Sequence, residues 1–360
     1  MSKYVVTGGS GFIGSNLVRD LLSEGHEVVV VDSMHTGSKS NLEGLDVPVF
    51  QMRADEFYEK EKPEWADVDG IFHLGKPSAS PIYRADRGKV VEAVAGSVAV
   101  FEMAREAGAK VVAASTSSVY NGVPPPQAED AAVAPTDFYT EPRLFEERLA
   151  AVYHSYYGVR WAEMRFFSVY GPREEGKKNL ANLVTQALWC ALSGKTFEIY
   201  GDGKQRRDFV YVGDVVRALE LAMSSGSNGV YNVGTGTSRS LNEMVDLLEK
   251  VTGLELSVRY VPNPVKNYVA VTQASTEKAK KEIGFEAQVA LEEGIRRIYD
   301  YYSKLMEAGW RPEVRWSIAF EPVSSVDPLA RGPSGRGRVA YGKAVTGWPS
   351  RQLPVSWSPN

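Results

Sequence analysis

Tyr139 and Arg143 stand four residues apart in Asp137-Phe138-Tyr139-Thr140-Glu141-Pro142-Arg143, a spacing that puts both on one face of a helix. Pro142 suits the first turn of that helix, where its missing N–H would have no intrahelical partner anyway. A cation held beside a phenol favours the phenolate, which a phenol that ordinarily titrates at about 10 requires if it is to act as a base near neutral pH. The chemistry on offer is removal of a proton from a substrate hydroxyl. The same pair also occurs on solvated helix faces, so it gains meaning only from the elements that place it.

Those elements begin at the N-terminus. Residues 3–7 read as a buried strand, followed by Gly8-Gly9-Ser10-Gly11-Phe12-Ile13-Gly14, an amphipathic helix carrying Leu17, Leu21 and Leu22, and the apolar run Val28-Val29-Val30-Val31 ending in Asp32. In such a βαβ unit the turn's backbone N–H groups and the helix N-terminus face a pyrophosphate that a Cβ would obstruct. Asp32 should accept from a ribose 2′-OH and repel a 2′-phosphate, which selects NAD over NADP. Further runs at residues 70–74 and 110–114, with a helix over residues 90–107 between them, predict an α/β fold with a doubly wound parallel sheet (Rossmann). Ligands of such sheets sit beyond the carboxyl ends of the strands. Gly75-Lys76-Pro77-Ser78, Ser115-Thr116-Ser117-Ser118-Val119-Tyr120 and the Tyr139 helix all end at that rim.

Composition narrows the class. The chain has 360 residues, 43% hydrophobic and 24% charged, and 41 Lys plus Arg against 45 Asp plus Glu give a net charge of −4. This is an ordinary globular composition with no field to recruit nucleic acid. Cys190, flanked by Trp189 and Ala191, is the one cysteine, so neither an internal disulfide nor a cysteine metal cluster is expected, and a buried thiol in a reducing cytoplasm is. No basic-then-apolar leader precedes the first strand, and the longest uncharged stretch, residues 179–194, is too short and polar to span a bilayer.

The expected organisation is a cofactor domain over residues 1–170 with returning segments around 208–235, an interleaved substrate lobe over 171–308, and an irregular tail over 309–360. Residues 179–192 read as a helix, 197–200 as a short strand and 291–306 as a final helix; Asp214 is a candidate helix cap, and Ser240 with Glu243 has capping-box spacing. The tail holds seven of nineteen prolines and the run Arg331-Gly332-Pro333-Ser334-Gly335-Arg336-Gly337-Arg338, and reads as a solvated extension with Trp316 or Trp348 as anchors.

Motifs in a particular order now accumulate: Thr7 through Gly14, Asp32, the hydroxyl run ending in Val119-Tyr120, Tyr139, Arg165-Phe166-Phe167-Ser168-Val169-Tyr170-Gly171-Pro172, Tyr200-Gly201-Asp202-Gly203, Arg207-Asp208-Phe209-Val210-Tyr211-Val212 and Tyr231-Asn232-Val233-Gly234. Across residues 3–305 the chain resembles the extended short-chain dehydrogenase/reductase family, specifically NAD-dependent nucleotide-sugar epimerases of the UDP-glucose 4-epimerase type. The resemblance implies NAD contacts at Gly8, Gly11, Phe12, Ile13, Gly14, Asp32, Asp55, Leu74, Tyr139 and Arg143, and catalysis by Tyr139, Arg143 and Thr116. It implies a UDP-sugar held by Thr116, Ser117, Asn179, Tyr200, Arg207 and, more loosely matched, Lys266. It also implies a homodimer joined through the helices over residues 90–107 and 141–156; Phe145, Leu149, Val152 and Tyr156 fit such a face and equally fit ordinary sheet packing. No metal, membrane or nucleic acid is expected.

Two departures qualify the resemblance. Relatives carry lysine where Arg143 stands, with the ammonium on the nicotinamide ribose. Arginine keeps the charge but not the compact three-donor geometry, so Arg143→Lys is expected to preserve activity to within about tenfold, roughly 1.4 kcal/mol. Lys76 occupies a position where relatives have small residues; it could reach the site, and the solvent-facing reading is taken here. Related dehydratases follow the threonine with an Asp-Glu pair, which Ser117 and Ser118 replace, and related reductases tend to use NADPH, which Asp32 opposes. A catalytically silent NAD-binding regulator is the remaining alternative.

Overall fold

The computed structural model describes residues 1–264 and 269–313, all within one compact unit of residues 1–318. Short runs rich in valine and other β-favouring residues form its central sheet: β1 (Lys3–Thr7), β2 (Glu27–Val31), β3 (Val49–Phe50), β4 (Gly70–His73), β5 (Lys110–Thr116), β6 (Trp161–Phe166) and β7 (Gly229–Val233). They lie in the order β7-β6-β5-β4-β1-β2-β3 and every pairing is parallel. The order reverses between β1 and β4, and a crevice opens there beyond the carboxyl ends.

Successive side chains of a strand point to opposite faces, and both faces are covered. Val6, Val30, Phe72 and Val112 pack with Leu17 and Val18 of the helix Phe12–Ser23 and with Val215 and Leu219 of the helix Val212–Ser224. Val5, Val29, Ile71 and Val111 pack with Val100 and Phe101 of the helix Gly88–Ala107 and with Ala150 and Tyr153 of the helix Glu141–Tyr157. This two-sided burial is why the strands read as continuous apolar runs rather than alternating ones. Glu163 and Arg165 in β6 break the pattern, and both are buried.

Short ladders outside the sheet pair Ser168–Tyr170 with Phe209–Tyr211, Phe197–Tyr200 with Val258–Val261, and Arg206–Arg207 with Arg239–Ser240. The closing helix Leu291–Glu307 sets Tyr302 edge-on to Trp189 at 5.4 Å, and Cys190 beside it is buried. The helix expected from residue 179 starts later: a 3-10 segment occupies Glu175–Leu180, and Asn182 accepts from the Val184 N–H to cap Leu183–Ser193. Asp214 is not a cap. It lies inside the first turn of its helix, accepts from the N–H groups of Gln288 and Val289, and pairs with Arg217, tying that helix to the segment before Leu291. Ser240 and Glu243 do form the capping box. Among the described residues no helix is long and apolar enough to cross a membrane. Lys266, Trp316, Trp348 and the tail beyond residue 313 lie outside the described residues.

The glycine turn after β1 is fitted against the exit of β4. Gly8 takes φ +71°, and a Cβ there would stand 2.8 Å from the backbone of Leu74 and Gly75. A Cβ on Gly14 would stand 2.1 Å from the Gly8 carbonyl oxygen, a backbone atom with nowhere to move. Gly14→Ala is therefore expected to lower the unfolding free energy by about 1–3 kcal/mol, the usual cost of overpacking, read from denaturation midpoints; an unchanged midpoint would mean that turn and helix separate freely.

Candidate active site

A cavity of about 380 Å³ occupies the crevice. Asp32 follows β2 and Thr116 ends β5, with β1 and β4 between them, so its wall runs from a carboxylate across the glycine turn to a hydroxyl and a phenol. Gly8, Gly11, Phe12, Ile13, Gly14, Asp32, Asp55 and Leu74 line it, together with Thr116, Ser117, Tyr139 and Arg143.

The Asp32 end is built to present an anion. One carboxylate oxygen accepts from the Ser10 N–H at 3.0 Å and the other from the Met34 N–H at 2.8 Å. Burial raises the Asp32 pKa and these two bonds oppose the rise. A carboxylate can accept about four hydrogen bonds, so acceptor capacity remains for a ribose hydroxyl, while a phosphate monoester would meet like charge. Beside it the glycine turn leaves room where side chains would stand, and the helix Phe12–Ser23 begins there. The residues present fit a dinucleotide with a free 2′-OH.

At the other end the guanidinium carbon of Arg143 lies 3.9 Å from the Tyr139 ring centroid. Tyr139 sits in the turn that leads into the helix Glu141–Tyr157, which has Pro142 in its first turn. Arg143 is buried; its Nη1 donates to Tyr83 Oη at 2.9 Å and to the Tyr139 carbonyl at 3.0 Å, and its Nη2 to the Pro77 carbonyl at 2.7 Å. Burial works against its charge, but Tyr139 and Tyr83 outweigh that and raise the guanidinium above its ordinary value. Thr116 Oγ1 accepts from the Ser118 N–H at 3.1 Å, capping a short 3-10 turn while facing the cavity.

Lys76 differs from its expected place in solvent. Its side chain is only 2% exposed, lines the cavity, and carries its ammonium to the carboxylate of Glu146, which is fully buried. The reason is the close fit of Gly75 against the glycine turn, which sets residue 76 in the cavity wall, where a cation meets a buried acid. Behind it His73 Nδ1 lies 2.7 Å from Thr7 Oγ1, and its Nε2 lies 3.5 Å from Glu146 Oε1. Burial, and then the charges of Lys76 and Arg143, hold the His73 imidazole well below its ordinary value, so it is neutral. Burial pushes Glu163 up to about 8 against the pull of Lys76, so near neutrality it is protonated. Glu147 holds Arg165 through two bonds of 2.9 and 2.7 Å, Ser115 donates to Glu147, and Arg165 donates to Tyr120, which donates to Asn232.

This buried network escaped sequence reasoning. Glu146 and Glu147 read as ordinary charges on a helix, whereas Glu163 in Trp161-Ala162-Glu163-Met164, a charge inside a β-run, was a legible signal. Asn179, Tyr200 and Arg207 do not line the cavity; Leu180, Asn182 and Lys177 do. Arg207 Nη1 donates to the Arg206 carbonyl at 2.8 Å, and its neighbour Asp208 accepts from the N–H groups of Thr235, Gly236 and Ala274.

The geometry of Arg143 revises the expectation for its substitution. One ammonium cannot span the Pro77 carbonyl, Tyr83 and the Tyr139 carbonyl as a planar fork does. Arg143→Lys is expected to lower stability by about 1–3 kcal/mol through lost charged hydrogen bonds and to lower turnover more than tenfold, read by denaturation and steady-state kinetics; wild-type stability would show that these three contacts are dispensable.

The model of the NAD dependent epimerase/dehydratase family matches residues 4–234. UDP-glucuronic acid decarboxylase 1 of Danio rerio is 31% identical over 314 residues, covering 85% of this chain and 73% of that protein. Among solved structures, UDP-glucose 4-epimerase of Thermotoga maritima with UDP-glucose aligns with a TM-score of 0.80 and 31% identity, covering 84% of this chain and 99% of that one. UDP-glucose 4-epimerase of Thermus thermophilus in complex with NAD aligns with a TM-score of 0.77 and 31% identity, again covering 84% and 99%. The glycine turn, Asp32 and the phenol opposite them thus have a common explanation: the chain belongs to the NAD dependent epimerase/dehydratase family of nucleotide-sugar enzymes, with NAD as its cofactor.

Proposed function

We propose that the chain interconverts a UDP-sugar, UDP-glucose and UDP-galactose or a related pair, with its C4 epimer through a 4-keto intermediate. The observation that carries this reading is the guanidinium of Arg143 lying 3.9 Å over the Tyr139 ring, in a cavity whose wall also carries Thr116. Tyr139 takes the proton of the C4 hydroxyl, which Thr116 positions by a hydrogen bond. Bound NAD would supply the hydride acceptor for C4 and, once the keto sugar has turned over, the hydride donor to its other face. Tyr139 then gives the proton back to the C4 oxygen, so the reaction is a net isomerisation. Arg207, with Asn179, Tyr200 and Lys266, is assigned to the UDP half, which must be held firmly while the keto sugar turns over.

A second reading is loss of CO2 from a UDP-uronate oxidised at C4, favoured by the similarity to UDP-glucuronic acid decarboxylase 1. That route must protonate a carbon after CO2 departs. Ser117 and Ser118, which line the cavity after Thr116, offer hydroxyls and no carboxyl group for that proton, and this supports epimerisation. The assembly is proposed to be a cytoplasmic homodimer. Val152 is 49% and Tyr156 78% exposed on the helix Glu141–Tyr157, an apolar surface that sheet packing leaves uncovered, whereas Phe145 and Leu149 are half-buried.

Purified protein incubated with UDP-glucose, UDP-galactose, UDP-N-acetylglucosamine and UDP-glucuronate should yield a C4 epimer by NMR, and Tyr139→Phe should lower the rate roughly 100-fold or more, as for loss of a general base. A UDP-pentose with CO2 would establish the second reading, and no conversion of any sugar by NAD-loaded protein would leave the silent regulator. Val152→Glu combined with Tyr156→Glu should halve the mass seen by light scattering; a monomeric wild type would refute the dimer.

A further inference from the structure

By the resemblance Arg143 stands where relatives carry a lysine, and its donors are taken by the protein itself. Nη1 is engaged by both Tyr83 Oη and the Tyr139 carbonyl, and Nη2 by the carbonyl of Pro77. The guanidinium carbon lies 3.9 Å from the Tyr139 ring centroid. These contacts describe a strut that joins the segment after β4 to the start of the helix Glu141–Tyr157.

The same cavity wall carries a second cation. Lys76 follows Gly75, whose backbone abuts Gly8 in the glycine turn, and both Gly8 and Lys76 line the cavity with Tyr139 and Arg143. Its ammonium has three donors, of which Glu146 takes one. Among the described residues Glu146 has no other cation paired with it: His73 is its other titratable neighbour, at 3.5 Å, and is neutral. The carboxylate oxygen Oε1 of Glu146 and Nε2 of His73 are buried without hydrogen-bond partners among the described residues. The acid therefore holds the ammonium of a residue in the cavity wall and engages one of its three donors. Burial lowers the Lys76 ammonium to about 7 with Glu163 opposing the shift, and anionic phosphates in the cavity would restore its charge.

We propose that Lys76, seated on Glu146, supplies the ammonium that binds the hydroxyls of the nicotinamide-side ribose, while Arg143 serves as the fixed strut and the cation over Tyr139. The two basic residues have divided the work that one helix lysine does in relatives. The pairing explains why Lys76 and the fully buried Glu146 occur together. This inference rests on the NAD site and not on the choice of sugar.

The test compares NAD⁺ with ADP, which shares the adenosine and diphosphate but lacks the second ribose. Full-length protein stripped of copurified nucleotide is titrated with each by calorimetry. Lys76→Met should weaken NAD⁺ at least tenfold, or about 1.4 kcal/mol, and leave ADP within threefold. Lys76→Arg should recover part of the loss, and Arg143→Lys should leave NAD⁺ affinity within threefold of wild type. Because Lys76→Met strands a buried carboxylate, Lys76→Met combined with Glu146→Gln repeats the measurement without it and should show the same selective loss. Equal weakening of NAD⁺ and ADP would assign Lys76 to the diphosphate or to folding, and no weakening of either, or a selective loss in Arg143→Lys alone, would return the ribose to Arg143; each overturns the proposal. Failure of sugar conversion would leave these affinities unaffected, so the two readings fail separately.

Discussion

The guanidinium of Arg143 is buried between the Tyr139 ring, the Tyr83 hydroxyl and the Pro77 carbonyl, and the chemical end of the cavity depends on its being held there. A buried ion is costly unless it is paired and hydrogen-bonded. Here the compensation comes from dipoles and ring faces rather than from a contacting carboxylate, which leaves the charge directed at the phenol. Moving the guanidinium would release three anchors at once: the loop after β4, the buried Tyr83, and the turn that carries Tyr139.

Around that charge the sheet and the helix Glu141–Tyr157 enclose a compensated set of ionisable groups. Glu147 and Arg165 form a bidentate pair extended by Ser115, Tyr120 and Asn232, and burial pushes Tyr120 up to about 12, so it remains a phenol and can donate. Lys76 and Glu146 form a second pair, with His73 and Glu163 kept neutral by burial. Breaking either pair from one side would leave an uncompensated buried charge, typically costing about 3–5 kcal/mol. Rigidity of this kind suits a site that must hold a phenol in a fixed place against its ligand.

The two ends of the cavity make different demands. Asp32, fixed by two backbone N–H groups, presents a carboxylate to one end and needs little beyond its place at the end of β2. At the end that carries the phenol, Thr116, Ser117 and Ser118 line the cavity with small hydroxyls rather than bulky or ionised groups.

Local patterns determined a good deal. Val28-Val29-Val30-Val31 reads as a strand apolar on both faces; Gly14 abuts the Gly8 carbonyl within one turn, where a Cβ has no room; Ser240 and Glu243 cap a helix through contacts three residues apart; and Tyr139 and Arg143 meet because four residues separate them. Each of these depends on interactions within one element or between neighbours in the chain, which residue type and spacing encode directly. Where Asp214 bonds, which way Lys76 turns, and which cation answers Glu146 were settled only by packing, because the partners lie 70 or more residues apart. A charged side chain has the same local preferences whether it faces water or a buried acid. Only the close fit of the Gly75 backbone on Gly8, a contact between two strand ends brought together by the sheet, puts Lys76 in the cavity wall.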